Sequence, residues 1–478
     1  MRDRPATQSL PDESASPFAP VGHATRRRFL ASAATVACAS FAALTGCSPA
    51  RSPSTDTRRS TGPTVIRRDD PPPAPPRLTI PTAEPTIRVR VASLRGGETT
   101  SVHSSTGWLR VRELGSKHPP LFMRGPIIVA RHADSWAIAD TGGIGPVAGG
   151  LAPVEFLPDA DGAFLSIGAS RYTGSLVAVA TGSPATGEAP GAPGIDLVNH
   201  LPLEMYLPGV LAKELYSHWH AEAFACQAIA ARSFACMEAQ MNAQRRHFDV
   251  TNTQQSQAYV GMTSLAVAND AAARTRGQVL AWHGDLVPGY YSSCCGGVAG
   301  NAIDMIGPNP INDIAPLRSR DQPNACISAP VYRWTIERPA DDVSRRLRAW
   351  GAAANDAAMR QLGEVAAITI AQTNAHGRPT LFHVRDRGSG GVIDLPARRL
   401  REAVDFAAPG APAVPLAMRS AFVSVETIGR LLLFHGRGFG HGVGMCQHCA
   451  QQLATRGVSH TAMLGEFYPG AQITQGYA

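Results

Sequence analysis

The sequence lacks long hydrophobic runs and internal repeats. Its most apolar N-terminal stretch, residues 29–44, is rich in alanine and too short to span a membrane, which takes about 20 strongly apolar residues. No segment recurs at the spacing of a solenoid, which excludes repeat architectures. Hydrophobic residues make up 44% and charged residues 17% of the 478 residues, a composition typical of globular proteins. The length allows two or three ordinary domains.

The charge balance says less than it first suggests. A net charge of +7 and a pI near 9.1 suit a polyanionic partner such as nucleic acid, acidic lipid or cell wall. Much of the surplus, however, lies before residue 70, outside any expected core. The arginines of this region are Arg26, Arg27, Arg28, Arg51, Arg58, Arg59, Arg67 and Arg68. The composition therefore indicates a basic folded body only weakly, and we expect no nucleic-acid partner.

The N-terminal residues 1–47 have the pattern of an export signal. Residues 25–30, Thr-Arg-Arg-Arg-Phe-Leu, fit the twin-arginine pattern, and residues 44–47, Leu-Thr-Gly-Cys, fit a lipobox. We therefore predict lipidation at Cys47 and an exported protein anchored to a membrane of the cell envelope, on its periplasmic or outer face. A plain secretory signal with a chance cysteine is the alternative.

The rest of the chain divides into regions of different composition and predicted secondary structure. Residues 48–85 are rich in Ser, Thr, Pro and Arg, which predicts a disordered linker. Residues 86–195 begin with an alternating strand pattern and contain several short β-like segments, which predicts a β-rich part. Residues 196–300 contain a strand at 196–200, a segment at 203–215 and an alanine-rich helix over 221–244. Residues 301–478 alternate strands and helices, with helices predicted over 340–362 and from Met445 to Arg456. They contain a glycine block at 436–444, where glycine at every second position lets another backbone or a sugar lie close. The predicted fold class is α+β, a β-rich body with a helical block.

Four sequence blocks occur in a recognisable order. The first runs from Tyr206 to Leu215 and continues through Trp219 to the stretch Glu-Ala-Phe-Ala-Cys-Gln-Ala-Ile-Ala-Ala-Arg-Ser at 222–233. The second is Ser-Gln-Ala-Tyr-Val-Gly at 256–261. The third combines Thr-Arg-Gly-Gln-Val-Leu at 275–280, Tyr-Ser-Ser at 291–293 and Gly-Gly at 296–297. The fourth is Gly-Phe-Gly-His-Gly-Val-Gly-Met at 438–445, with Gln447 after it. Together these blocks resemble the SpoIID/LytB family over roughly residues 86–472.

The resemblance implies a peptidoglycan lytic transglycosylase, a lyase that remodels the cell wall by cleaving the bond between N-acetylmuramic acid and N-acetylglucosamine. It places the catalytic acid at Glu214. The residues support this role independently, because a Glu among apolar neighbours has the raised pKa that proton donation to a leaving oxygen requires. A solvated helix acid beside Lys213 is the alternative. A single Glu suffices when the muramyl 6-hydroxyl attacks internally and leaves a 1,6-anhydro product. Glu204 and Glu222 are close in sequence but less well placed.

The blocks also supply the candidate substrate-binding residues. They are Arg232, Gln257, Tyr259, Ser292, His441 and Gln447. Arg232 and Gln227 stand in an otherwise apolar helix, where buried polar groups need partners, so the two either hold a network or line a cleft. For Arg232, Gln257 and Tyr259, a buried structural hydrogen-bond network is the alternative. His441 lies between glycines, which favours exposure to a cleft.

Seven cysteines follow Cys47, and two interpretations of them stay open. Cys446 and Cys449 are three residues apart, so they share a helix face, and with Cys295, Cys326 and His441 they could complete a structural zinc site. A disulfide such as that between Cys295 and Cys326 is the other interpretation, reasonable in an exported protein. Adjacent strand residues face opposite ways, so only one of Cys294 and Cys295 can join a given cluster. No cofactor is required for the predicted chemistry.

Two other functions remain compatible with the sequence. One is a non-catalytic module that binds peptidoglycan or activates a wall amidase, so that other cell-wall hydrolases become its partners. The other is a zinc hydrolase acting on stem peptides, which needs a metal with an open coordination position. For the transglycosylase and for the binding module, the expected ligand is the peptidoglycan glycan strand.

Overall fold

The computed structural model describes residues 77–132, 134–140, 150–182, 193–321, 324–408, 410–412 and 414–478. The predicted signal peptide, with Cys47, and most of the predicted linker lie outside these residues. In the described part, the helices are α1 (Leu203–Glu214), α2 (Ala221–Asn242), α3 (Ala266–Arg274), α4 (Ala302–Met305), α5 (Ala340–Ala353), α6 (Ala357–Arg360), α7 (Ala397–Val404), α8 (Gln447–Ala454) and α9 (His460–Phe467).

Strands outnumber helices, as the sequence predicts for a β-rich α+β chain. In chain order they are β1 (Thr86–Arg95), β2 (Thr100–Ser104), β3 (Trp108–Glu113), β4 (Leu121–Arg124), β5 (Ile127–Arg131), β6 (Trp136–Ala139), β7 (Val154–Pro158), β8 (Leu165–Ile167), β9 (Ser170–Tyr172), β10 (Ser175–Thr181), β11 (Gly194–Pro202), β12 (Val250–Thr251), β13 (Gln278–Trp282), β14 (Asp285–Leu286), β15 (Tyr291–Ser292), β16 (Arg333–Pro339), β17 (Val365–Thr373), β18 (Pro379–Asp386), β19 (Val392–Pro396), β20 (Val423–Ile428), β21 (Leu431–Arg437), β22 (Met445–Cys446) and β23 (Gln472–Gln475).

The largest sheet has seven strands in the order β12-β1-β11-β10-β7-β3-β4. Alternate residues of β1, such as Ile87 and Val89, are fully buried, as the period of two in the sequence predicts. The parallel strand β12 adds to the edge of β1, pairing Val89 with Val250. This sheet therefore joins the predicted parts 86–195 and 196–300 into one structure.

Smaller sheets complete the body. A five-stranded sheet has the order β6-β5-β2-β8-β9, and three-stranded sheets have the orders β14-β13-β23, β16-β21-β20 and β17-β18-β19. The parallel pair of β15 and β22 is only two residues long in each strand, with Tyr291 opposite Met445 and Ser292 opposite Cys446. This short pair joins the third and fourth sequence blocks.

Helix α2 lies at the centre of the core. It packs against α1, α3, α8, α9 and β13, and its residues from Ala223 to Ser233 are all buried. Its alanines let neighbouring backbone come close: a Cβ on Gly289 would lie 2.1 Å from the Ala230 carbonyl oxygen. No helix in the described ranges is both long enough and apolar enough to cross a bilayer.

Three local differences from the sequence predictions have physical causes. The predicted helix over 340–362 is two helices, since Asn355 adopts a positive φ of 55° between α5 and α6. The helix predicted from Met445 starts at Gln447, because Met445 and Cys446 pair with β15. Residues 77–85, assigned to the linker, pack on the body, where Leu78 is buried and its carbonyl accepts a hydrogen bond from the Leu286 amide.

Candidate active site and cysteine cluster

Glu214 is the last residue of α1. The helix ends there because Leu215 is extended, with φ −119° and ψ 153°. Glu214 is 8% exposed, and the core residues Val210, Leu211 and Leu215 flank it in the chain. Glu214 is therefore a buried residue with apolar chain neighbours.

Three donors hold the Glu214 carboxylate. The Ala258 amide donates to Oε1 at 2.8 Å, the Gln447 side-chain amide donates to Oε2 at 3.2 Å, and the Tyr291 hydroxyl also donates to the carboxylate. Burial raises the pKa of Glu214 above its ordinary value, and these three hydrogen bonds oppose the rise. The raised pKa suits a residue that must carry a proton near neutral pH.

Gln447, predicted as a substrate-binding residue, contacts Glu214 directly. Its side-chain amide also lies 3.3 Å from the Gln227 side-chain oxygen, and both glutamines are buried. Gln227, which the sequence left between a network and a cleft, thus belongs to a buried network. Gln447 acts on Glu214 from within the protein.

Gln257 and Tyr259 lie behind the site. Gln257 is fully buried and joins the Tyr206 and Tyr291 hydroxyls, at 3.2 and 3.1 Å. The Tyr259 hydroxyl donates to the Asn199 side chain at 3.1 Å. Both residues therefore occupy the buried network that was the alternative to a cleft role, and Gln257 supports Tyr291 in its contact with Glu214.

The prediction that Arg232 lines a cleft needs correction. Its guanidinium is fully buried and forms two 2.8 Å hydrogen bonds with the Glu204 carboxylate. Further bonds reach the carbonyls of Gln278 and Ala272. A side chain without solvent exposure cannot contact a sugar, so Arg232 ties α2 to α1 and to the segment that leads into β13.

The remaining acids of this region are committed to ion pairs. Glu204 pairs with Arg232, and Glu222 pairs with His460 and Arg274, at 2.7 and 2.8 Å. The pKa of Glu222 falls to about 2, where the hydrogen bonds and charges of His460 and Arg274 outweigh the opposing effect of burial. Neither acid shares a hydrogen-bond partner with Glu214 among the described contacts, so neither supplies a second catalytic carboxylate.

Ser292 and His441 organise the glycine block. The Ser292 hydroxyl accepts a hydrogen bond from the Gly442 amide at 3.2 Å, and His441 Nδ1 accepts one from the Val443 amide at 3.0 Å. Burial lowers the pKa of His441 to about 3, so this ring is neutral. Both side chains make local structural contacts with the glycine block.

The glycine block permits close approach of protein backbone. Gly440 and Gly444 have φ values of +100° and +67°, and a Cβ on Gly444 would lie 2.2 Å from the Tyr290 carbonyl oxygen. Of the two partners that the sequence allowed for this block, another backbone or a sugar, the structure shows the backbone.

Two contacts near Glu214 were not singled out from the sequence. Tyr291 donates to Glu214, although only its neighbour Ser292 was chosen; its place in the third sequence block was the available signal. The His448 ring stands edge-on to Trp219 at 5.1 Å, and Tyr216 lies 5.3 Å from Trp219. Aromatic side chains therefore form a wall beside the chain segment that follows Glu214.

A second cluster, the cysteine cluster, consists of Cys295, Cys326, Cys446 and Cys449. All four are buried, and their sulfurs lie within 4.8 Å of one another. Cys295 and not Cys294 takes part, as expected for adjacent residues. The sequence set also included His441; the structure leaves His441 outside the cluster, because its ring is held in the glycine block.

The cluster fits a tetrahedral metal. Four sulfurs bound to one Zn²⁺ at 2.3 Å would lie about 3.8 Å apart; the Cys295 sulfur lies 3.6 Å from that of Cys326 and 4.0 Å from that of Cys449. These distances are far above the roughly 2.05 Å of a disulfide bond, and none joins the seven cysteines that the structure describes.

Backbone amides also point at the sulfurs. The amides of Cys295 and Cys449 donate to Cys446 Sγ at 3.3 and 3.4 Å, and the Gly297 amide donates to Cys295 Sγ at 3.3 Å. Such donors favour the thiolate form that a metal requires. Four sulfur ligands would fill a tetrahedral zinc ion and leave no open position for a substrate.

The fold and the site define a mixed α+β protein with a buried carboxylate of raised pKa at Glu214 and a separate thiol cluster. Comparison with known proteins shows which family it resembles. Residues 192–282 match the SpoIID family, described as "Stage II sporulation protein". The chain therefore contains a region that matches the SpoIID family, as the sequence blocks predict, and its relatives point to a cell-wall-related role.

Similar proteins cover more than half of the chain. An uncharacterised protein of Brachyspira hyodysenteriae is 26% identical over 278 residues, 58% of this chain and 68% of that protein. The amidase enhancer of Bacillus subtilis is 24% identical over 299 residues, 56% of this chain but only 40% of the enhancer. The stage II sporulation protein D of Bacillus amyloliquefaciens is 25% identical over 296 residues, 58% of this chain and 76% of that protein.

Proposed function

We propose that the chain is a peptidoglycan lytic transglycosylase in which Glu214 is the only acid and base. The observation that carries this proposal is the carboxylate of Glu214 itself, which is buried, raised in pKa and held by three donors. A binding module has no need of such a group. Family membership supplies the wall as the setting.

The chemistry needs one proton and returns it. Protonated Glu214 gives its proton to the glycosidic oxygen as the bond from that oxygen to muramyl C1 breaks. The muramyl 6-hydroxyl then bonds to C1, and its proton passes to Glu214, which restores the acid. The product carries a 1,6-anhydro ring, and no water is consumed. The ion-paired state of Glu204 and Glu222 is consistent with a mechanism that uses no second carboxylate.

The decisive experiment uses protein starting at Arg77, incubated with purified glycan strands, both stripped of peptides and peptide-bearing. Mass spectrometry should find anhydro-muramyl ends with the wild type and none with Glu214→Gln. Glu222→Gln is the matched control, since it removes a nearby carboxylate that is already ion-paired, and it should still cleave. Reducing ends in place of anhydro ends would show a hydrolase and contradict the proposal.

The match to the amidase enhancer supports a second candidate, a module that binds murein and activates an amidase. The same experiment separates the two. Retention on murein without cleavage, together with faster cleavage by an added amidase, would favour the activator. Equal activation by wild type and Glu214→Gln would remove the need for an acid at this position.

We propose further that the cysteine cluster holds a structural zinc ion, through Cys295, Cys326, Cys446 and Cys449. When bound, the ion would cross-link the segments that carry these residues; with four sulfur ligands it would not take part in cleavage. Elemental analysis of reduced protein should find one Zn²⁺ per chain, lost in Cys326→Ser. A four-sulfur set also speaks against the zinc hydrolase of stem peptides, which needs an open position.

The cellular setting is likewise a proposal. The twin-arginine and lipobox patterns support export and a diacyl anchor at Cys47, which would hold the body within reach of the wall. Metabolic labelling with a fatty acid should mark the wild type and not Cys47→Ser. Labelling that persists in the variant would contradict the anchor.

A further inference from the structure

Two arginines beside the cysteine cluster have no acidic partner. Arg378 is fully buried, and its guanidinium donates to the carbonyls of Cys295 and Val298 at 2.9 Å and of His441 at 3.0 Å. No Asp or Glu of the described ranges forms an ion pair with it. The other arginines that are almost wholly buried do have one: Arg232 pairs with Glu204 and Arg346 with Asp342, at 2.8 and 2.9 Å.

Arg437 binds the same loop. Its guanidinium donates to the Gly296 carbonyl at 2.6 Å and to the Tyr332 hydroxyl at 3.2 Å, again with no carboxylate partner in the described part of the chain. The guanidinium carbons of Arg437 and Arg378 lie 4.7 and 5.1 Å from the centre of the Phe422 ring. Two positive charges thus converge on one aromatic side chain next to Cys295.

Burying these two guanidiniums lowers the stability of the folded protein unless a negative charge lies close by. An arginine keeps its proton in proteins, and a buried cation that is bonded only to neutral carbonyls loses much of its hydration energy. A second guanidinium nearby adds repulsion. Burial lowers the pKa of Arg378 to about 10, and the thiols of Cys295, Cys294 and Cys446 act against that fall. The acidic groups that act on Arg378 are thus cysteines.

The charge of a four-thiolate zinc centre matches this pair. Four thiolates exceed the charge of one Zn²⁺ by two, and two guanidiniums balance that excess. We infer that Arg378 and Arg437 are the counter-charges of a zinc centre at the cysteine cluster, and that they set its affinity for metal. This inference rests on the proposed structural zinc, and it assigns to these arginines a role beyond holding the loop at 295–298.

If Arg378 and Arg437 are counter-charges, they should affect the metal-loaded and the metal-free protein differently; if they only hold the loop, they should not. With metal bound, the guanidiniums face an anionic centre and are stabilised; with neutral thiols and no metal, they are buried cations without a partner. Removing one positive charge should therefore weaken the metal-loaded protein much more than the metal-free protein. A residue that only holds the loop would contribute equally to both forms.

The test uses the reduced full-length chain, first stripped of metal and then titrated with Zn²⁺ against a chromophoric chelator. Arg378→Gln, which removes the charge, should bind Zn²⁺ about 10- to 100-fold more weakly, the usual effect of losing a group that supports metal ligands. Arg378→Lys keeps the charge and should retain most of the affinity. Arg346→Gln is the matched control, a buried arginine with its own carboxylate, and should leave Zn²⁺ affinity unchanged.

Thermal unfolding of both forms completes the test. The rise in Tm on adding Zn²⁺ should shrink in Arg378→Gln and stay near the wild-type value in Arg378→Lys. Arg437→Gln, a half-buried position, gives the same test should Arg378→Gln fail to fold. Equal affinity in wild type and the Gln variants would overturn the counter-charge inference alone; a wild type that binds no Zn²⁺ would overturn the proposed metal centre and the inference with it.

Discussion

At the scale of single residues, Glu214 is set between two opposing influences. Burial favours its protonated form, whereas the Ala258 amide, Gln447 and Tyr291 favour the carboxylate. A residue that both gives and takes a proton in one turnover needs such a balance, because either form must be reachable at the working pH. The three donors therefore lower the pKa of Glu214 as well as position its carboxylate.

Tyr291→Phe tests this effect on the pKa of Glu214. The Tyr291 hydrogen bond lowers the pKa of Glu214, so its loss should leave that pKa higher. Glu214 must be protonated to act as the acid, and so the basic limb of the profile of kcat/KM against pH should move to higher pH. The measurement is cleavage of glycan strands across the pH range in wild type and variant. An unchanged basic limb would mean that Tyr291 does not act on Glu214.

Arg232→Met tests the assignment of Arg232 to a buried ion pair and not to a cleft. Removing the guanidinium leaves the Glu204 carboxylate buried without its partner, which should lower the free energy of unfolding by about 3–5 kcal/mol. Urea unfolding gives the value. The double variant Arg232→Met, Glu204→Leu should recover part of the loss, because no charge is then left unpaired. Normal stability with weakened glycan binding would instead return Arg232 to a cleft.

The resemblance to the SpoIID/LytB family indicated Glu214 and Gln447, but the residue types could not separate a cleft from a buried network. Arg232 illustrates the reason: its partner Glu204 is distant in sequence, and only the packing of α1 on α2 brings the two together. His441 was placed in the metal set because its spacing allowed it. The bond from the Val443 amide, which holds its ring elsewhere, has no signature in the sequence.

At the scale of elements, two very short strands link the site to the cysteine cluster. Tyr291 lies on β15, four residues before Cys295, and Gln447 directly follows β22, between Cys446 and Cys449. Both side chains that donate to Glu214 are therefore carried by segments that end in cysteine ligands. A metal at the cluster would fix these donors relative to Glu214.

Cys449→Ser should therefore lower activity as well as metal content. We expect loss of Zn²⁺ and a fall of about 10-fold or more in kcat, with a smaller change in KM, because Gln447 loses its fixed position while the glycan surface remains. Elemental analysis and steady-state cleavage measure the two effects. Cys236→Ala, a buried cysteine outside the cluster, is the control and should keep its metal. Full activity in a zinc-free Cys449→Ser variant would show that metal at the cysteine cluster is not needed to position the groups that contact Glu214.

Sequence patterns predicted the long elements and several short strands, but they missed the two-residue pair of β15 and β22. The pattern of β1 and the alanine-rich stretch of α2 each extend over several turns or pleats, so the local signal accumulates. The strand β22 has two residues, and it exists because β15 lies beside it. A pairing between residues 291 and 445 is a tertiary contact, which no local pattern can indicate.

At the scale of the whole molecule, the described body is fastened by segments from its two ends. Strand β23, near the C-terminus, pairs with β13, and residues 77–85 cross the same region at Leu286. Glu84 accepts hydrogen bonds from Arg276 at 2.6 Å and from the Glu204 amide at 2.9 Å. Composition alone assigned residues 77–85 to the linker, because proline and threonine dominate there and the single buried leucine does not stand out.

Comparing chains that start at Arg77 and at Thr86 tests this fastening. The shorter chain loses the buried Leu78 side chain and the paired bonds of Thr79 with Gln240, at 2.9 and 2.8 Å. It also loses both Glu84 contacts, one of which reaches the Glu204 amide beside the Arg232 ion pair. We expect a loss of about 2–5 kcal/mol from the leucine alone, measured by urea unfolding of both chains.

Leu78→Ala in the longer chain separates the leucine from the hydrogen bonds. If burial dominates, this single change should reproduce most of the loss, since its bonds run through backbone and remain available. Cleavage by the shorter chain should persist at low temperature, because residues 77–85 make no described contact with Glu214. Equal stability of the two chains would mean that residues 77–85 belong to the linker, as predicted from the sequence. Loss of activity without loss of stability would mean that these residues contribute to the site.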